Sequence, residues 1–205
     1  MINVSRLKKL QPEFYLNDVV DVAPLLLGKI FVRKVKNLTL AGKIVEVEAY
    51  DGSIDQAAHS FNGMTERNRV MFLKGGRLYV YFTYGMHYCI NVVTGEEGRG
   101  SAVLLRGIEP LLGLDKMKLN RFGNKRLTSN SADKEISNGP GKIGQAFQID
   151  KKDNGIDLTG DEIFVAECEG IEADRIGISQ RIGIKKSIEL PWRFYIKENR
   201  FVSRI

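Results

Sequence analysis

The sequence predicts an α+β fold in a single domain spanning residues 1–205. Stretches of period-two apolar and polar alternation face each other across tight turns, as antiparallel strands do, and short helical stretches interrupt them. A chain of 205 residues buries a substantial core and lies near the size of one domain. Its apolar fraction of 43% and charged fraction of 27% are ordinary for a globular protein and exclude disordered and fibrous classes.

Asn17 to Gly28 reads as a helix: Asp21 can cap it, Pro24 is tolerated in the first turn, Leu25, Leu26 and Leu27 are buried, and Gly28 closes it. Lys29 to Val35 and Leu38 to Tyr50 then form an antiparallel pair around Lys36-Asn37. Period two places Val45, Val47 and Ala49 on one face of the second strand and Glu46, Glu48 and Tyr50 on the other. Asp51 to Asn68, rich in Gly, Ser, Asn and Asp, reads as an irregular loop carrying His59. After a turn at Gly75-Gly76, Arg77 to Thr83 and His87 to Val93 form a hairpin around Tyr84-Gly85-Met86. Tyr79, Tyr81 and Thr83 share a face, whereas Tyr84 has the opposite parity and projects from the tip.

Ser101 to Ile108 is a further strand, with Ala102, Leu104 and Arg106 on one face and Val103 and Leu105 on the other. An arginine in an apolar strand needs a carboxylate, and Glu48 is the candidate partner. Leu111 to Phe122 reads as a helix closed by Gly123, followed by a polar connection from Asn124 to Asn138. Pro140 starts a helix toward Phe147 whose first backbone amides suit an anion. Ile163 to Glu167 and Trp192 to Ile196 add more sheet, with basic loops between.

The formal charge of +6 and pI near 9.3 come from basic residues spread along the chain, which suits a phosphate backbone or a solvated mixed surface. No apolar run approaches membrane-spanning length, the first dozen residues lack a secretory core, and Cys89 and Cys168 are too few for a disulfide framework. Cytoplasmic residence is therefore expected.

Residues 43–91 hold two carboxylates on one strand face, both of the chain's histidines and five of the seven tyrosines. Such a mixture suits a pocket that grips a flat ring and activates a water. Glu48 could be a general base or half of a structural Glu–Arg pair. Tyr50, His59 and Tyr81 could stack on a planar base or pack as core aromatics. Tyr84 could be a wedge entering a duplex, or fold back on its hairpin. His87-Tyr88-Cys89 has no second pair of ligands beside it, so no metal site is expected. Met71, Met86 and Met117 read as core filler. No Walker sequence, serine elbow or glycine-rich nucleotide loop occurs, and Asn138-Gly139-Pro140-Gly141-Lys142 lacks the spacing of one.

In their order and spacing, Glu46-Val47-Glu48-Ala49-Tyr50, Ala57-Ala58-His59-Ser60, Arg67-Asn68, Tyr79-Val80-Tyr81, Tyr84-Gly85-Met86, Asn91, Leu104-Leu105-Arg106, Asn138 to Lys142 and Arg193-Phe194-Tyr195 resemble the alkyladenine (3-methyladenine) DNA glycosylases of the alkylpurine type. The resemblance covers nearly the whole chain and departs from the family at Phe61-Asn62 and at His87. It implies a curved antiparallel sheet with flanking helices and a protruding hairpin that enters the minor groove. It also implies a monomer that acts without a cofactor on double-stranded DNA containing damaged purines, and no membrane association. Position by position, it makes Glu48 the general base and Arg106 the residue that helps hold the water and the carboxylate. Tyr50, His59 and Tyr81 would sandwich the flipped purine, Asn91 would crowd the amino group of normal guanine, and Tyr84 would fill the gap in the duplex. Thr65, Arg67, Met86, Gly141 and Lys142 would contact the DNA backbone. Two other classes stand beside this reading: a catalytically silent lesion-binding protein, and a metal-dependent hydrolase using Glu46, Glu48, His59 and His87.

Overall fold

The computed structural model describes residues 4–83, 85–123 and 131–203. Tyr84, which the sequence places at the hairpin tip, and residues 124–130 of the polar connection lie outside the described residues. The chain forms an α+β fold built on an eight-stranded, curved antiparallel sheet. A first helix, α1 (Val19–Leu26), leads into β1 (Ile30–Val35) and the long β2 (Leu38–Asp51). The hairpin follows as β3 (Leu78–Thr83) and β4 (His87–Thr94), then β5 (Ser101–Leu112). Helices α2 (Leu114–Phe122), α3 (Ser131–Lys134) and α4 (Pro140–Ala146) come next, and β6 (Ile163–Ala166), β7 (Ile176–Ser179) and β8 (Arg193–Ile196) complete the sheet.

The strands run in the order β3-β4-β5-β2-β1-β6, and β8 joins β2 with β7 outside it. Strand β2 is long enough to take β5 along one edge while its other edge carries β1 over Leu38 to Lys43 and β8 over Glu46 to Glu48. Its register against β5 shifts at Ala41/Gly42, Ile44/Glu46 and Glu46/Val47. Such bulges raise the local twist and bend the sheet. The β1–β2 turn closes through Lys36 at φ 53, as the two-residue loop required.

In α1 the residues Val19, Val22, Ala23 and Leu26 recur at helical spacing and are buried. Leu25 is 56% exposed, contrary to the expectation of three buried leucines, because each helical step of about 100° turns it away from the sheet. Pro24 lies within the helix rather than in its first turn, and Asp18 rather than Asp21 holds the N-cap position. Gly28, at φ 85, turns the chain and donates to the Ile44 carbonyl at 2.9 Å. The expected helix from Leu111 begins only at Leu114. Pairing of Gly42 with Pro110 and of Ala41 with Leu112 keeps that segment in β5, and Gly113 at φ 81 ends it. Strand β7 had no counterpart in the sequence reading: its alternation is too short to register without its partner β8.

One sheet face, carrying Val45, Val47, Ala49, Val103 and Leu105, packs on α1, on Ile143 and Ala146 of α4 and on Phe147 just after it. Gly144 lets α4 sit directly on β4, since a side chain there would collide with the Tyr88 carbonyl. The opposite face is polar and aromatic. Register strings Tyr79, Asn91, Leu104, Glu48 and Arg193 into one lateral row across β3, β4, β5, β2 and β8. No helix among the described residues is long and apolar enough to cross a membrane.

Candidate active site

Glu48 and Glu46 are completely buried on the polar face of β2. Burying a carboxylate is tolerated only when its oxygens are occupied by donors. Glu48 Oε2 accepts from the Tyr50 hydroxyl at 2.8 Å and from an Arg106 terminal nitrogen at 3.3 Å, and Oε1 accepts from the Ile182 backbone N–H at 2.7 Å. Burial raises the Glu48 pKa above the ordinary carboxylate range; Arg106 and the two hydrogen bonds oppose that effect and Glu46 adds to it. The Tyr50 hydroxyl, buried and beside Glu48, is held firmly protonated and can only donate to it.

Tyr50 and Arg106 also line a cleft of about 260 Å³. Sites for drug-sized ligands run to roughly 300–1,000 Å³, so this one suits a single planar heterocycle. Its aromatic wall is made by His59 and Tyr81, with ring centroids 4.6 Å apart and planes at 76°, while Tyr79 lies 5.5 Å from Tyr81. His59 Nδ1 is 3.1 Å from the Tyr79 hydroxyl. Partial desolvation and the nearby Arg67 charge lower the His59 pKa, leaving the ring neutral at pH 7. The loop carrying His59 is organised by Asn68, whose amide donates to the His59 and Gly63 carbonyls while its oxygen accepts from Thr65 N. Asn91 lies buried in the floor and donates to the Tyr79 carbonyl at 3.1 Å. Cys89 stands beside it, its thiol hydrogen-bonded to the Tyr81 hydroxyl and pushed up in pKa by burial.

Of the expected backbone contacts only Arg67 lines the cleft; Met86 and Gly141 line a second depression beside His87. Arg67 sits 6.0 Å over the Tyr81 ring and donates to the Phe82 carbonyl at 3.3 Å. Thr65 is exposed nearby in sequence, and Met86, expected in the core, is 69% exposed because it lies in the turn between β3 and β4 rather than on a sheet face. Gly141 packs against the His87 side chain, bringing the start of α4 to that second depression. The Lys142 ammonium is already engaged by Glu135 and Asn138.

The sequence reading missed the clamp contributed from Ile182 and the pair behind it. Arg181 and Asp55 are fully buried and form a two-pronged ion pair; Arg181 also donates to the Ala49 carbonyl at 2.9 Å and lies 4.6 Å over the Tyr50 ring. The signals were Asp55 in the polar loop and an arginine directly before Ile182-Gly183-Ile184, but neither has a local period that points to the other. Among the described residues no group of three or more His, Cys, Asp or Glu could hold a metal ion. The arrangement places a buried carboxylate in hydrogen-bond contact with Tyr50 and Arg106, two of the residues that line an aromatic slot.

Residues 13–200 match the family model described as methylpurine-DNA glycosylase. A protein of Clostridium botulinum named "Putative 3-methyladenine DNA glycosylase" is 45% identical over 202 residues, covering 95% of this chain and 98% of its own. One of the same name from Carboxydothermus hydrogenoformans is 46% identical over 94% of this chain and 97% of its own. Another, from Francisella tularensis subsp. tularensis, is 45% identical over 90% and 93%. With a match across nearly its whole length and relatives covered end to end, the chain belongs to the methylpurine-DNA glycosylase family.

Proposed function

We propose that this DNA glycosylase works as a monomer in one domain, residues 1–205, in the cytoplasm at the nucleoid. It flips alkylated or deaminated purines of the 3-methyladenine, 7-methylguanine and hypoxanthine class out of double-stranded DNA. It then hydrolyses the N-glycosidic bond with an activated water and leaves an abasic site. The observation that carries this reading is the shared lining of the cleft: Tyr50 and Arg106, which grip Glu48, stand in the same wall as His59 and Tyr81.

A stacked base cannot present its glycosidic bond to a side chain, so the nucleotide must leave the helix, and weak pairing at a lesion lowers that cost. Tyr84 fills the vacated step. Tyr50, His59 and Tyr81 sandwich the base, and a cationic alkylated ring binds their π faces more strongly than a neutral one. Asn91, fixed through its amide to Tyr79, excludes the exocyclic amino group of normal guanine. Glu48 takes a proton from water as the sugar carbon loses the purine, and Arg106 holds that carboxylate and water in place. Thr65, Arg67, Met86, Gly141 and Lys142 meet the backbone, Lys142 by exchanging Glu135 for phosphate. No lysine lines the cleft among the described residues, which supports hydrolysis without the Schiff base that strand cleavage would need.

The test is single-turnover release of an alkylated adenine and of hypoxanthine from a duplex oligonucleotide, with chelator present. Free base together with a strand that breaks only after hot alkali is expected. Scission during the reaction, or a covalent adduct trapped by borohydride, would refute the hydrolytic scheme; tight lesion binding with no release would favour the silent binder.

The same reaction followed against pH on a 7-methylguanine duplex, whose cationic base needs no protonation, should lose rate on the acid side. Glu48 acts only when ionised and burial raises its pKa, so the limb should lie above the usual glutamate value of about 4.3. A rate that stays flat down to that pH would contradict the assignment.

A further inference from the structure

Resting on the reading of Glu48 as base, we propose that Glu46 is the positioning residue of this active site: it fixes the Arg106 guanidinium from behind, and the C-terminal Ser203 locks Glu46 in turn. Glu46 is as deeply buried as Glu48, and both reach the cleft only through Arg106 and, for Glu48, Tyr50 and the Ile182 N–H, which line it. Its Oε1 accepts from Arg106 Nε at 3.2 Å, Arg193 Nε at 2.8 Å and Ser203 Oγ at 2.8 Å, and its Oε2 accepts from Ser203 N at 2.6 Å. Arg106 places another nitrogen 3.4 Å from Ser203 Oγ and a third 3.3 Å from Glu48. A guanidinium is a rigid planar fork, so holding two of its nitrogens sets the direction of the third. Had Glu46 served only to bind β8 to β2, Arg193 alone would have sufficed.

The local backbone is shaped for this arrangement. The register shifts beside Glu46 place it opposite Gly107, where an added Cβ would stand 2.7 Å from the Phe201 carbonyl and 3.0 Å from Glu46 Cβ. The missing side chain lets residues 201–203 cross the sheet and deliver Ser203 to the carboxylate. The buried group brings Glu46 and Glu48 together with Arg106 and Arg193. Tyr50 from β2 and the Ile182 N–H from the β7–β8 loop complete what faces Glu48. Removing the Glu46 charge frees the Arg106 guanidinium to turn away from Glu48, the group it helps to hold ionised.

Glu46→Gln should accordingly slow single-turnover release of 7-methylguanine about tenfold to a hundredfold near neutral pH, in the range a misplaced catalytic group costs. Its Kd for the lesion duplex should stay within about threefold of wild type, since the groups that grip the base are untouched. If the variant melts earlier but its folded fraction shows the wild-type rate, Glu46 is only structural and the inference fails. Should Glu46→Gln not fold, Ser203→Ala removes one donor and leaves all charges. A rate lowered at least threefold with unchanged lesion binding then supports the inference, and an unchanged rate overturns it. Wild-type release of base, measured alongside, tests the reading of Glu48 separately.

Discussion

Glu48→Gln should reduce single-turnover base release by about 10²–10⁴-fold, the usual contribution of a positioned general base. Lesion-duplex binding should persist, because Tyr50, His59, Tyr81 and Arg67 remain in place. The substitution keeps the shape of the side chain and removes its charge. Donors approach both Glu48 oxygens, so one side of the new amide must face either Ile182 N–H or the Tyr50–Arg106 pair with a donor of its own. A buried donor left without an acceptor costs about 1–3 kcal/mol, so the melting temperature belongs beside the rate. A folded Glu48→Gln enzyme that releases alkylated adenine at the wild-type rate would remove Glu48 from the chemistry. A folded variant that has lost lesion binding would instead place Glu48 in recognition.

Asp55→Ala should destabilise the protein by about 3–5 kcal/mol, the cost of leaving one member of a buried ion pair alone. At roughly 2–4 °C per kcal/mol for a chain of this size, the melting temperature should fall by about 6–20 °C. Both side chains of the Arg181–Asp55 pair are fully shielded, and Arg181 Nε is already without a partner among the described residues. Asp55→Ala with Arg181→Met should be milder than Asp55→Ala alone, because removing both charges also removes the desolvation penalty. A double variant that adds the two single losses would show that the pair stabilises through packing. Activity should fall with stability, since Arg181 braces the Tyr50 ring and precedes the Ile182 amide that grips Glu48.

Much of this site was legible in local pattern. The period of two put Glu46, Glu48 and Tyr50 on one face of β2 and Tyr79 with Tyr81 on one face of β3. Apolar flanks around Arg106 demanded a carboxylate, and the structure pairs it with Glu48 and with Glu46 as well. These inferences hold because strand parity depends only on covalent geometry between residues i and i+2. Leu25 and the Leu111 segment went the other way. Which side of a short helix meets the sheet, and whether β2 has a free edge to capture Pro110 and Leu112, are settled by neighbours far along the chain.

The same limit governs the buried polar cluster. Sequence alone determined the strand faces, the aromatic content of the slot and the presence of a carboxylate with an arginine. Only the tertiary structure decided that Tyr79, Asn91, Leu104, Glu48 and Arg193 form one row, because strand order follows from sheet closure rather than from any local period. It alone brought the Ile182 amide onto Glu48 across 134 positions and Ser203 onto Glu46 across 157. A backbone N–H carries no residue signature, and a buried carboxylate will accept whichever donor the fold delivers.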